Sequence, residues 1–381
     1  MTGVKIIFVA KEIRGGTHTF LKQISRLNNQ KFKKYFYLFR RDRLSVLRGD
    51  VYYSNDKYPD DENPSFQKAL IFVKNLNSLN KIVVQKGPAI LFACDFYSFI
   101  LLAVYKVLFR SNVTFIYFIN IPIDLLINRK PNSLYRNLLL WISKRFLNVF
   151  DLVIPCSYDL ADHLIKTFNL NPQNIYAIPY GIDLERVNFR MAQRLTNEKG
   201  PGFKILSVGR FDKQKDFETI LKAFELLIKR NNNATLYLVG DGPLRRDLQK
   251  EAERLGIGQR TFFLGWKKNT VPYLKSSDLF VFSSFYEGFG MVILEAMAVR
   301  IPVVATDTPF GPSEILNRGE YGILVPIGDY KRMAIDIEKI LKNSKLKKRY
   351  IEKSSARACD FDLSFMLKKY EDILGKLTRQ L

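Results

Sequence analysis

"FKILSVGRFDKQKDFETILKAF", residues 203–224, changes period in mid-course. It opens with a short apolar run, crosses a polar turn, and then sets Phe217, Ile220, Leu221 and Phe224 at helical spacing. A strand that turns sharply into a helix is half of a βαβ unit. The same alternation runs through the whole chain. Strands are expected at 4–10, 35–39, 89–93, 113–118, 151–155 and 175–179, with helical patterns at 17–29, 96–109, 133–148 and 158–169 between them. Beyond the quoted stretch, strands are expected at 234–240, 261–265, 278–284, 301–306 and 321–326.

Nearly continuous apolar strands separated by helices indicate parallel sheets covered on both faces. After Asp183 the pattern breaks into the polar "LERVNFRMAQRLTNEKGPG". The expected fold is therefore α/β, two doubly wound Rossmann-like domains facing across a cleft. The boundaries read as 1–185 for an N-terminal domain, 186–202 for a linker and 203–360 for a C-terminal domain. Residues 361–381 read as a C-terminal helix packing back on the first domain. Ligands in such folds sit beyond the carboxyl ends of the strands.

At 381 residues the chain is long enough for two ordinary domains. Sixty Lys and Arg against 37 Asp and Glu give a net charge of +23, which favours an anionic partner. Cys94, Cys156 and Cys359 are scattered and odd in number, as suits reduced thiols in the cytoplasm rather than a disulfide framework. With only His18 and His163, far apart, a histidine-bound metal is not expected. The start, "MTGVKIIFVAKEIRGG", reads as a first strand rather than a signal segment. "FYSFILLAVYKVLF" (96–109) carries Lys106 and is short for a span, so it reads as a buried helix.

Several turns carry chemistry. Gly15 and Gly16 follow the first strand and open a helix, where a tight turn and an anion site fit equally well. Arg210 follows the strand at 203–209, and Lys215 comes five residues later, before a helix starting near Asp216. Two cations there can neutralise charge gathering on a departing phosphate; two solvated surface charges are the plainer alternative. "LVGDGPL" repeats a strand–glycine–helix turn at Gly240. In "SFYEGFGMVILEAMA", Glu287 falls in a loop and Glu295 in the helix after it, with amides of Phe289, Gly290 and Met291 at the helix start.

Together, "SVGRFDKQKDF", "LVGDGPL", "FFLGW", "EGFGMVILEAMA", "PVVATDTPFGPSEIL" and "YGILVP" resemble the retaining glycosyltransferases of family four, which have the two-domain GT-B fold. The resemblance is strongest over 203–328, and the glutamate pair there has seven residues between its members, as in Glu287 and Glu295. It implies that Arg210 and Lys215 hold the diphosphate of a nucleotide sugar, with Glu287 on the donor sugar and Glu295 on the ribose. It implies the backbone of Phe289, Gly290, Met291 and Val292 for sugar and phosphates, Gly240 in the donor site, and Leu264 and Gly265 near the base. Gly16 would close on the phosphates from the other domain. The implied co-substrate is a nucleotide sugar, UDP-linked by preference, with no cofactor and no metal. The implied transfer goes to a glycan or polyprenyl-linked acceptor. Where the family often has a histidine near the reacting sugar, this chain has Asn120, which can hydrogen-bond a hydroxyl but not take its proton. Asp216 follows Lys215 where glycine is common.

"KFKKYFYLFRRDRLSVLR" (31–48) carries seven cations against Asp42 alone, and "RKPNSLYRNLLLWISKRF" (129–146) adds more, with Trp141. Basic and aromatic residues together suit an anionic lipid surface, and a solvated helix face suits them equally. The expected location is the cytoplasm, peripherally on the inner face of the membrane. The alternatives to a transferase are a nucleotide-sugar epimerase on a similar fold and a basic nucleic-acid binder. No nucleic-acid partner is expected, since such a binder does not account for Arg210, Lys215, Glu287 and Glu295 together. Glu287→Ala is expected to cut turnover and to leave melting nearly unchanged.

Overall fold

A computed structural model describes residues 3–11, 15–39, 47–54, 65–109, 112–128, 133–191, 202–230 and 233–379. The chain divides into two compact units, 1–180 with 365–381, and 181–364.

In the first unit the strands are β1 (Val4–Ala10), β2 (Phe32–Leu38), β3 (Asp50–Tyr53), β4 (Ile90–Ala93), β5 (Thr114–Ile119) and β6 (Leu152–Pro155). Between them run α1 (Gly15–Ile24), α2 (Ser65–Lys86), α3 (Phe96–Phe109), α4 (Ile123–Asn128) and α5 (Ser133–Leu147), with α6 (Tyr158–Phe168) after β6. All pairings are parallel, in the order β3-β2-β1-β4-β5-β6.

The second unit opens with α7 (Leu184–Met191), inside the polar stretch read as the start of a linker; residues 192–201 lie outside the described residues. Then come β7 (Phe203–Val208), α8 (Phe217–Lys229), β8 (Ala234–Val239), α9 (Arg245–Arg254), β9 (Thr261–Gly265) and α10 (Val271–Lys275). They are followed by β10 (Leu279–Phe282), α11 (Met291–Ala298), β11 (Val303–Thr306), α12 (Pro312–Ile315) and β12 (Ile323–Val325). Helices α13 (Tyr330–Lys342) and α14 (Ser344–Cys359) complete it, and α15 (Leu363–Arg379) enters the first unit from Phe365 onward. The sheet order is β12-β11-β10-β7-β8-β9.

Both sheets share one topology: the chain winds outward from a first strand, then returns to its other side. Right-handed crossovers put the helices of the two halves on opposite faces, and the reversal leaves a crevice where the two directions part. In the second unit that crevice lies between the carboxyl ends of the adjacent strands β7 and β10.

The first core is largely aromatic. Phe20 of α1 stacks on Phe118 of β5 with ring centroids 3.8 Å apart, and Tyr370 of α15 packs 5.8 Å from Phe20. The second core is mostly aliphatic, with Ile220, Leu221 and Leu227 of α8 packed with Ile337 and Ile340 of α13. Helix α3 buries Phe99, Leu101, Leu102 and Tyr105 but exposes Val107, Leu108 and Phe109 in its last turn. Lys106 meets Asp151 at 2.7 Å. Among the described residues no helix is long and apolar enough to cross a membrane.

Two strand expectations change. Residues 175–179 form no strand: Tyr176 and Ile178 donate to the carbonyls of Val153 and Pro155, but Pro155 has no N–H with which to return a bond. Conversely, β3 forms at the sheet edge, where "DVYY" has too little length or alternation to signal a strand alone.

The first unit also holds a buried ammonium. Lys34 is 3% exposed and donates to the Leu27 carbonyl. Burial pushes its pKa from 10.5 down to about 8, helped by Arg48 and opposed by Glu371. Between those two values the unfolded chain binds more protons than the native one, so stability rises with pH across that window. Unfolding in urea at a series of pH values is expected to show wild type gaining on Lys34→Met between about pH 8 and pH 10.5. A difference that stays constant across the window would show that Lys34 titrates as in the unfolded chain.

Candidate functional site

The turn after β7 is built on one carboxylate. Asp212 Oδ1 accepts from the Lys215 amide at 3.2 Å, capping the short turn Lys213–Lys215. Its Oδ2 accepts from Arg210 Nε at 2.6 Å. Between the two cations Phe211 is buried, edge-on to Phe217 at 4.8 Å, which anchors the turn in the core. Arg210 itself is 71% exposed along its side chain. Asp216 has φ 44, the left-handed region that glycine occupies most cheaply and that aspartate tolerates. Glycine would take this conformation without strain, and the chain meets it with aspartate.

The loop after β10 is tied to that turn at several points. Ser283 Oγ donates to the Lys215 carbonyl at 2.7 Å, and Gln214 Nε2 to the Tyr286 carbonyl at 3.0 Å. The Phe285 amide donates to the Gln214 carbonyl at 2.9 Å. Across this junction Lys215 Nζ forms an ion pair with Glu287 Oε1, the two side chains being 22% and 9% exposed. Ser284 Oγ donates to the same carboxylate oxygen at 2.7 Å, and Thr306 Oγ1 holds the Ser284 carbonyl at 2.7 Å. The lysine also lies 5.4 Å from the centre of the Phe282 ring. Lys215 and Glu287 thus meet at the switch point, and Arg210 is joined to them through Asp212.

Helix α11 starts at Gly290, φ 97, which offers no side-chain cap to the first-turn amides of Met291 and Val292. The Phe289 side chain is turned inward, 5.8 Å from Phe361, so only its backbone faces the loop. Gly311 explains the local shape: at φ 76, a Cβ there would fall 2.0 Å from the Phe289 carbonyl oxygen. Further along α11, Glu295 Oε2 accepts from Thr270 Oγ1 at 2.9 Å. Arg190 of α7 lies nearby; burial and Arg186 hold its guanidinium below the usual range, while Glu295 and Asp183 oppose this.

At the ends of β8 and β9, the Gly240 amide donates to the Gly265 carbonyl at 3.0 Å. A Cβ on Gly240 would stand 1.8 Å from the Gly209 carbonyl oxygen, so close strand packing accounts for this glycine. Leu264 and Gly265 are half-buried at the end of β9, and Arg245 NH2 donates to the Phe263 carbonyl at 3.3 Å.

Gly16 and Asn120 belong to the first unit and meet there. A Cβ on Gly16 would lie 2.9 Å from Asn120 Nδ2. Tyr180 Oη donates to the Gly16 carbonyl at 2.9 Å, and burial pushes its phenol well above the usual range. Sequence reasoning missed Tyr180, Gln214, Ser283, Ser284 and Thr270. The serines are visible at the end of the strand "DLFVFSS", but that Ser283 meets the Lys215 carbonyl, 68 residues away, is set by the tertiary structure.

Two family models match the chain: Glycosyl transferases group 1 over residues 190–357 and Glycosyltransferase Family 4 over 15–186. A Campylobacter jejuni relative, N-acetylgalactosamine-N,N'-diacetylbacillosaminyl-diphospho-undecaprenol 4-alpha-N-acetylgalactosaminyltransferase, is 29% identical over 212 residues, 56% of either chain. The lipopolysaccharide core biosynthesis glycosyltransferase LpsE of Rhizobium meliloti is 40% identical over 149 residues, 39% of this chain and 42% of that one. The chain therefore aligns with about half the length of these relatives. The crystal structure of HepE from Anabaena in complex with UDP and glucose superposes with a TM-score of 0.78 at 19% identity, covering 98% of this chain and 99% of that one. At that identity the likeness is one of fold.

Burial of the ion pair revises the melting expectation for Glu287. Its removal leaves a mostly buried ammonium without a counter-ion and the Ser284 hydroxyl without its acceptor. Glu287→Ala is expected to lower unfolding free energy by about 1–3 kcal/mol in urea titrations. Glu287→Gln should cost less, because an amide oxygen still accepts from Ser284. Identical transitions for both variants and wild type would show that the pair contributes nothing to the fold.

Proposed function

We propose, for a chain that belongs to the group 1, family 4 glycosyltransferases, retaining transfer of a hexose or N-acetylhexosamine from a nucleotide sugar, UDP-linked by preference. The acceptor is a glycan or lipid-linked glycan in polysaccharide or lipopolysaccharide assembly, and no metal is required. The observation that carries this reading is the Lys215–Glu287 pair between the ends of β7 and β10. It sets a cation and a carboxylate where a doubly wound sheet binds its ligand, and a nucleotide sugar offers each a partner.

A lysine ammonium has three donors, so Lys215 can keep Glu287 and still bind a phosphate oxygen. Arg210 is exposed and adds a second cation. The first-turn amides of α11 supply fixed dipoles for the diphosphate. As the bond between the anomeric carbon and the phosphate oxygen breaks, charge grows on the leaving diphosphate, and these preorganised groups stabilise it. The acceptor oxygen bonds to the anomeric carbon on the face the diphosphate leaves, and its proton passes to a departing phosphate oxygen. Asn120 orients a hydroxyl without taking its proton. Glu287 accepts from donor-sugar hydroxyls and Glu295, aimed by Thr270, from the ribose.

The relatives' names support the acceptor class, one naming a diphospho-undecaprenol and another lipopolysaccharide core. Helix α5 supports work at a membrane surface, which we place on the cytoplasmic side. Leu134, Leu138 and Trp141 are exposed at spacings of four and three, one helix face, and Lys144 and Arg145 are exposed in the last turn. The other basic stretch, 31–48, has residues 40–46 outside the described residues, as are 129–132 before α5.

Nucleotide sugars are expected to raise the melting temperature, and nucleoside diphosphate to appear only when an acceptor is present. Lys215→Ala and Arg210→Ala should each lower kcat by about 100-fold or more. Release of free nucleoside diphosphate that ignores the acceptor, or an inverted anomer by NMR, would overturn the transfer mechanism. In sedimentation with anionic vesicles, binding is expected at low salt and is expected to fall at about 0.5 M salt. Leu138→Glu with Trp141→Glu should abolish it; equal pelleting of that variant would remove α5 from the contact.

A further inference from the structure

Asn120 follows β5 directly and is half-buried, and the contacts around it decide which way its carboxamide points. Two neighbouring side chains each carry a single hydroxyl hydrogen. Tyr180 Oη gives its own to the Gly16 carbonyl at 2.9 Å. Thr17 Oγ1 gives its own to the Cys94 carbonyl at 3.4 Å. Towards Asn120 both oxygens can then only accept. The carboxamide therefore turns its NH2 group inward: Nδ2 donates to Tyr180 Oη and lies 3.5 Å from Thr17 Oγ1. The oxygen Oδ1 is left on the other side, and among the described residues no group donates to it.

The mount is stiff. Tyr180 is 4% exposed, its ring edge-on to Phe118 at 5.6 Å, and Phe118 is in turn stacked on Phe20. Burial keeps the phenol neutral, so its hydrogen is always there to be donated. Gly16 lies over both groups: a Cβ there would stand 2.9 Å from Asn120 Nδ2 and 3.2 Å from Tyr180 Oη. Without such partners a carboxamide turns about its last bond at little cost, and half a turn exchanges its donor and acceptor ends.

We propose that Tyr180 is a positioning residue for the transfer reaction, holding Asn120 with its oxygen outward so that Asn120 meets a substrate hydroxyl only as a hydrogen-bond acceptor. This rests on the reading of Asn120 as a substrate contact. The direction has a consequence. A hydroxyl that spends its hydrogen on Asn120 Oδ1 is not the one whose proton passes to the departing phosphate. Asn120 thus orients the sugar through a non-reacting hydroxyl, and a sugar with no hydrogen to donate at that position loses the contact.

Two measurements test this. In protein carrying isotope-labelled asparagine, the side-chain NH2 signals that vanish in Asn120→Ala identify the group by NMR. They are expected to exchange with deuterium slowly in wild type and about tenfold faster in Tyr180→Phe. In steady-state assays Tyr180→Phe is expected to lower kcat/KM about 3- to 10-fold, yet to cost nothing further when added to Asn120→Ala. A general loosening of the core would slow both backgrounds alike. Assays are run where circular dichroism shows every variant folded. Full activity of Tyr180→Phe, equal slowing of the wild-type and Asn120→Ala enzymes, or unchanged exchange of the NH2 group would each overturn the proposal. If wild type transfers no sugar from any nucleotide sugar, the transferase reading fails and the role in turnover with it, while the exchange rates still decide whether Tyr180 fixes the carboxamide.

Discussion

The contact between Lys215 and Glu287 organises the second unit's site. It joins two turns that leave adjacent strands of one sheet, and it is mostly withdrawn from water. A charge in such a place is expensive unless compensated, so each residue makes the other's position tolerable. Ser284, Ser283, Gln214 and Thr306 then fix the backbone on either side, which leaves the pair little freedom to move apart. A pair held this way needs little reorganisation, which is the property the proposed diphosphate site requires of it.

The topology explains why such a pair arises where it does. In each unit the first and fourth strands of the winding lie side by side, and the crossovers leave them in opposite directions. The helices therefore diverge at the carboxyl ends of these strands. In the second unit the turns there carry Arg210, Lys215, Glu287 and the start of α11. In the first unit β1 and β4 take the same places; α1 follows β1, and there Gly16 is packed against Asn120 and Tyr180. Glycines mark where backbone must pass close to backbone: Gly240 against Gly209, and Gly311 against Phe289.

Much of this was legible in residue order. Arg210, Lys215 and Glu287 could be singled out because each falls in a turn just after a strand, and Glu295 because it follows Glu287 with seven residues between them. Lys34 was not legible as a buried cation; in "KFKKYFYLF" it reads like its neighbours, and only the sheet decides which lysine points inward. Thr270 was equally silent, since a threonine before a short helix resembles an ordinary cap. The segment 175–179 misled because its composition suits a strand, whereas its pairing depends on a neighbour that ends in proline.

Residue order alone determined the alternation of strands and helices, the break into two α/β units, and which turns carry charge. Those follow from periods of two and 3.6 residues, which are local properties of the chain. Only the tertiary structure decided which turns meet. Lys215 and Glu287 are 72 residues apart, and nothing between them says that β7 lies beside β10. That neighbour relation comes from the handedness of crossovers and the burial of whole sheet faces. These are properties of the assembled sheet, and no single segment carries them.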